Sequence, residues 1–233
     1  MHAHSRFLSS RRGFTLVELL TVIAIIAVLA AIIIPSVRHV RKTAVTSTAL
    51  NNARELGKTF ALYAQDNRNQ WPATNNANVF WSKDALFPYL TGRTAAGWND
   101  LADTIFVSPS AAPVGETDGP DQPAIVDQGN RGFAMNNGLP DTGGASTGGS
   151  THPKLPARIV SPPRTAVLMD CNAKQIPATT PSFRNQYTTM VENRHGGRNV
   201  VLFADGHTEL VAHADIPVSN SGTAAANAFW FGR

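Results

Sequence analysis

Arg11-Arg12-Gly13-Phe14-Thr15-Leu16-Val17-Glu18, with the apolar run it opens as far as Ile34, decides the architecture of this chain. From Phe14 to Ile34 there are 21 residues, and only Thr15, Glu18 and Thr21 are not plainly apolar. At a rise of 1.5 Å per residue such a helix is about 31 Å long, close to the hydrocarbon thickness of a bilayer. A helix satisfies its own backbone hydrogen bonds, so an unbroken apolar run of this length can live in lipid. Residues 14–34 are therefore predicted to form a transmembrane helix. Glu18 stands out on its first turn, where an ionised group in lipid costs a few kcal/mol. By position alone it either reaches the headgroups or serves a function.

Composition narrows the rest. A chain of 233 residues has room for one membrane helix and one globular domain of ordinary size. The formal charge is +4, but Arg6, Arg11 and Arg12 lie in residues 1–13, which hold no acid. Without that segment 17 basic and 16 acidic side chains remain. No patch dense enough to track a phosphate backbone is left, so nucleic acid is not an expected partner. Cys171 is the single cysteine, which precludes an intramolecular disulfide and reads as a small buried apolar residue after a strand-like run. An ordinary secretory leader would carry a shorter apolar region with a cleavage site behind it. Here the run is longer and no A-x-A follows it. Arg6, Arg11 and Arg12 before the run nearly balance Arg38, Arg41 and Lys42 after it, so charge does not set its orientation.

Past Pro35 the helical signal resumes. Ala49, Ala53, Leu56, Phe60 and Tyr63 alternate steps of four and three, an apolar stripe on one helix face. Pro35 lacks an N–H and is expected to kink one continuous helix rather than divide it in two. The helix should run to about Asp66, with residues 35–66 continuing the membrane segment and packing on a globular domain, residues 67–233. Lys83–Leu90 reads as a short helix. Ser108–Asn130 is dense in Pro, Gly and Asp and should be irregular, and Gly138–Ser150, with Gly-Gly twice, reads as a mobile loop.

The C-terminal third reads as sheet. Arg164–Asp170 is a strand candidate, with Cys171 just beyond it. Asn199–Ala204 and His207–Val211 are β-rich runs joined by Asp205-Gly206, which predicts a two-residue hairpin loop of type I′ with positive φ at both positions. Three aromatics, Phe229-Trp230-Phe231, close the chain and are expected to tuck against the domain.

Two sets of motifs resemble a known family. Basic residues, Gly13, Phe14-Thr15-Leu16-Val17-Glu18 and the apolar run are similar to the prepilin processing signal of type IV pilins and type II secretion pseudopilins. The resemblance implies a cut after Gly13 by the membrane-embedded prepilin peptidase, methylation of the new N-terminus at Phe14, and retention of the helix on the mature protein. It implies that residues 1–13 are the leader, that Glu18 neutralises the Phe14 amine of a neighbouring subunit, and that Pro35 is the helix-kinking proline of the family. It also places the leader in the cytoplasm and residues 67–233 outside the cytoplasmic membrane.

The second set is Asn52-Ala53-Arg54-Glu55-Leu56-Gly57, Tyr63-Ala64-Gln65-Asp66-Asn67, Trp71-Pro72 and the H-x9-DG pattern of His195 with Asp205-Gly206. These resemble a large group of pilin-like proteins. In that comparison Phe106-Val107-Ser108-Pro109 occupies a place where relatives often carry Cys-Pro, so Ser108 replaces the partner that a disulfide with Cys171 would need. The resemblance also brings calcium into view, since major pseudopilins use it. Asp118, Asp121 and Asp127 have the hard oxygens for it, but their spacing fits no defined loop and reads as solvated turn.

H-x9-DG keeps two readings. In one, His195, Asp205 and either His207 or His213 form a metal or acid–base site. In the other, His195 precedes a Gly196-Gly197 turn and bonds to backbone near the hairpin. A His and an Asp ten apart make neither a triad nor a zinc site, and no HExxH, nucleophile elbow or Walker motif accompanies them. The expected protein is α+β and pilin-like, a long N-terminal helix packed on an antiparallel sheet. It takes no cofactor or metal and is a peptidase substrate, not an enzyme, that joins other pilin or pseudopilin subunits in a filament. A different class stays open: a membrane-anchored binding protein or metal-dependent hydrolase that uses the anchor for export.

Overall fold

The structure is a computed structural model that describes residues 15–76, 79–111, 114, 132–143, 152–171, 175–176, 194–217 and 223–233. The scissile pair Gly13 and Phe14, the leader and the three aspartates considered for calcium lie outside the described residues, as does most of the Gly-rich loop. The chain forms two compact units, Met1–Thr43 and Ala44–Arg233.

Helix α1 spans Leu16–Asp66 and carries Pro35 inside it, so the proline does not divide the helix. In the first unit every large apolar side chain from Leu16 to Val40 is exposed, among them Ile23, Ile26 and Ile32. Its length and composition suffice to cross a membrane.

The second unit takes up the C-terminal half of α1. Ala49, Ala53, Leu56 and Phe60 are buried there as the stripe predicts, with Ala64 continuing it, while Tyr63 is only half-buried and stacks edge-on against Tyr89. Small residues on that face let the helix approach the sheet closely: a Cβ on Gly57 would stand 3.1 Å from Leu202.

A small ribbon of β1 (Asn75–Asn76) and β2 (Val79–Phe80) leads into a π-helical turn, Trp81–Leu86, and helix α2, Phe87–Thr91. The sequence pattern anticipated one helix over 83–90. The chain instead turns early because Trp81 is a core residue, 1% exposed and stacked on Phe60.

The main sheet has five strands in the order β5-β3-β4-β6-β7: β3 Phe133–Asn136, β4 Ala166–Asp170, β5 Gln175–Ile176, β6 Arg198–Phe203 and β7 Thr208–Ala212. Four of them, β3-β4-β6-β7, are antiparallel neighbours, and β5 adds to β3 in parallel. This is the α+β, pilin-like arrangement expected, a long helix on an antiparallel sheet.

Alternation along the strands divides the side chains between two cores. Phe133, Met135, Leu168, Val200 and Leu202 join the α1 stripe. Ala134, Ala166, Met169, Val201 and Phe203 face a second core closed by Ile216, Ala226, Phe229 and Trp230. The terminal aromatics therefore tuck in as anticipated, with Trp230 donating its indole N–H to the Pro217 carbonyl at 2.7 Å. The last segment contains helix α3, Ala224–Ala226, capped by the Thr223 hydroxyl.

Candidate functional site

At the start of α1 the sequence Thr15-Leu16-Val17-Glu18 closes a capping box. The Thr15 N–H and hydroxyl both donate to Glu18 Oε2, at 2.9 and 2.7 Å, and the Glu18 N–H donates back to the Thr15 hydroxyl at 3.2 Å. Helix N-termini leave backbone N–H groups without intrahelical partners, and this reciprocal pair satisfies two of them. The T-x-x-E spacing signals the box directly, so Glu18 has a partner within its own chain besides the charge-pairing role that the family resemblance implies. Placing the carboxylate here also complements the positive end of the helix dipole.

The second cluster lies where β4 ends and β6 begins. Antiparallel pairing sets Asp170, the last residue of β4, beside the turn that feeds β6, and Asn199 donates its side-chain amide to the Asp170 carbonyl at 2.8 Å. Gly196 and Gly197, both at positive φ, reverse the chain and aim Arg194 and His195 back at that carboxylate. Arg194 makes a close ion pair with Asp170 Oδ1. His195 Nε2 lies 2.7 Å from Oδ2, and the Ser108 hydroxyl donates to the same oxygen at 3.1 Å. On the other side of the imidazole, Thr46 of α1 meets Nδ1 at 3.1 Å, while the Ser110 hydroxyl joins Asp170 at Nε2, at 3.2 Å. Burial opposes ionisation of Asp170, but Arg194 and His195 outweigh it and hold the carboxyl below its usual range.

These contacts revise the H-x9-DG expectation. The nine residues between His195 and Asp205 carry the whole of β6, so the two motif residues stand at opposite ends of one strand and do not meet. The partner of His195 is the Asp170 carboxylate, which no motif announced, and not hairpin backbone. Asp205 instead accepts from the His207 N–H at 3.1 Å and lies 2.5 Å from its Nδ1. Its carboxyl is also held low: partial burial opposes ionisation, and the His207 hydrogen bonds prevail.

The predicted hairpin is present, with a different turn. Phe203 N–H donates to the His207 carbonyl and Gly206 N–H to the Phe203 carbonyl, which leaves a three-residue loop. Gly206 has φ +91°, whereas Asp205 is not at positive φ. That is a type I turn closed by a left-handed glycine rather than the type I′ turn expected.

Chemically, the order Thr46–His195–Asp170 has the outline of a hydroxyl, a base and an orienting acid. The side chains of His195 and Asp170 are fully enclosed, and Thr46 sits mid-helix, where backbone N–H groups are already used. The arrangement ties α1 to the sheet. Ser108, at the position compared with Cys-Pro, bonds to the residue next to Cys171, which is buried and in no disulfide. Among the described residues no three His, Cys, Asp or Glu side chains converge to hold a metal, and His213 sits in a single 3-10 turn.

Residues 8–34 match the family described as the prokaryotic N-terminal methylation motif. No curated protein and no solved structure matches the chain. The match takes in the basic residues, Gly13 and the apolar run as far as Ile34. The protein thus carries a type IV pilin-like signal, of the kind prepilin peptidase processes, on a long apolar helix.

Proposed function

We propose that the chain is a structural subunit of a type IV pilus-like or type II secretion pseudopilus filament. In this reading prepilin peptidase cleaves after Gly13 and methylates Phe14, and the chain waits in the cytoplasmic membrane with its C-terminal unit outside. It then joins other pilin or pseudopilin subunits. It is a substrate of the peptidase and performs no catalysis itself. One observation carries the proposal: the methylation motif opens a helix whose large apolar side chains are all exposed from Leu16 to Val40. Such a surface needs lipid before assembly and neighbouring helices after it. Within the H-x9-DG motif His195 and Asp205-Gly206 are structural: His195 links Thr46 of α1 to Asp170 of β4, and Asp205-Gly206 turns the β6–β7 hairpin.

The capping box sharpens the test of Glu18. A Glu18→Gln chain keeps a side chain able to complete the box but removes the charge that would meet a neighbour's Phe14 amine. Cleavage and folding should be unchanged in this variant, while sheared filaments, counted by electron microscopy, should be lost. Normal filaments from Glu18→Gln would remove charge pairing from the assembly step.

A further inference from the structure

Lys154 is wholly buried, 0% exposed, in a chain whose single cysteine rules out an internal disulfide. It sits between Trp71 and Asp141, bridged to both through the backbone. Its Nζ donates to the Asn137 carbonyl at 3.0 Å, lies 3.5 Å from Asn137 Oδ1 and 3.6 Å from Asp141 Oδ2. The buried Thr74 hydroxyl donates to that same Asn137 Oδ1 at 2.7 Å. An amine, a carboxamide, a carboxylate and a hydroxyl thus converge in the core.

We propose that Lys154 and Asn137 form an intramolecular amide bond, with Asp141 moving the protons and Thr74 polarising the carbonyl. Asn137 Cγ is at most about 4.7 Å from Nζ, given a C=O length near 1.2 Å, and a side-chain rotation closes that gap. The Asp141 carboxylate takes a proton from the Lys154 ammonium. The freed lone pair attacks Cγ, and the charge that develops on Oδ1 is held by the Thr74 hydroxyl, as in an oxyanion hole. Asp141 returns the proton to Nδ2, and the tetrahedral adduct collapses with cleavage of the Cγ–Nδ2 bond. The second proton leaving Nζ goes with the departing nitrogen. One C–N bond forms, one breaks, ammonium is released, and Asp141 ends as it began.

The site is suited to this step. Burial lowers the Lys154 pKa to about 8, Asp141 offsetting part of the effect, so a nucleophilic neutral fraction exists near neutral pH. Enclosure keeps water from competing for the carbonyl. The product would close residues 137–154 into a covalent ring, a staple that needs no oxidant. It does not depend on which filament the chain enters.

The test uses the full chain in detergent. Digestion on the N-terminal side of aspartates cuts before Asp141, between the two linked residues. The linked protein should yield the Asn137 and Lys154 peptides as one joined species, lighter than their sum by one ammonia. Trypsin should fail to cut after Lys154. Separate peptides of full mass would overturn the proposal. So would an ammonia loss confined to the Asn137 peptide, the mark of a succinimide closing on the Gly138 nitrogen. Lys154→Arg should abolish the joined species. Asp141→Asn, shown to be folded by circular dichroism, should restore tryptic cleavage after Lys154. A variant that stays linked would strip Asp141 of its role.

Discussion

At the scale of single residues, Asp170 is the group most dependent on its surroundings. It is 0% exposed, and its two oxygens are shared among Arg194, His195 and Ser108. Asp170→Ala would leave Arg194 buried without its closest counter-charge, a change that typically costs about 3–5 kcal/mol. Chemical denaturation of the detergent-solubilised full chain, followed by tryptophan emission, measures this. All four tryptophans lie between Trp71 and Trp230, so the signal reports on the second unit alone. The same carboxyl sets a pH dependence. Its folded pKa is lowered, so the stability it contributes is fully present above the unfolded value of about 3.9 and fades as pH falls through the lower folded value. Acid titration of the wild type should show that loss, and the Asp170→Ala chain should lack this part of it. None of this was legible in the sequence. Asp170 reads as the end of a strand, and only antiparallel pairing of β4 with β6 brings His195, 25 residues on, to it.

Among the elements, α1, β4, β6 and β7 are legible from local signals, the turn leading into α2 only in part, and β3 not at all. The α1 stripe, the β4 core and the β6–β7 hairpin all rest on periodicity or on Asp-Gly, both of which act within a few residues. Strand β3 carries no such mark. Its four residues, Phe133–Asn136, are buried throughout, because the sheet is covered on both sides there, and so they show no polar alternation. The hairpin loop length was misjudged because Asp-Gly serves a type I′ turn and a glycine-closed type I turn alike. Gly206 settles which it is. It has φ +91° and open space where a Cβ would stand, so Gly206→Ala meets backbone strain and no clash. The expected loss is about 1–2 kcal/mol, with the strand register intact by amide hydrogen exchange. A much larger loss would mean the turn packs against something beyond its own hairpin.

For the molecule as a whole, the division at Thr43 and Ala44 separates two ways of hiding apolar surface. The first unit keeps its hydrophobes outside, for a surrounding that is not water. The second folds them between α1, the sheet and the C-terminal aromatics. The long apolar helix is legible from composition alone, since length and hydropathy need no tertiary partner. The third layer is legible only in its last part, the three terminal aromatics that are expected to tuck against the domain. Trp230 is now its keystone, 1% exposed, edge-on to Phe229 and hydrogen-bonded to Pro217. Trp230→Ala should lower stability by about 3–5 kcal/mol, read by thermal unfolding in far-ultraviolet dichroism. The Glu18 variants, by contrast, should unfold like wild type in that assay. With both broad sides of the sheet roofed over, strands from a second copy have no flat floor on which to stack. One of the two rims of the sheet is β7, where Glu209 is exposed beside partly shielded Leu210 and Val211. A charge on that border discourages indiscriminate strand addition. A border built this way leaves copies of the chain little to gain from meeting strand against strand.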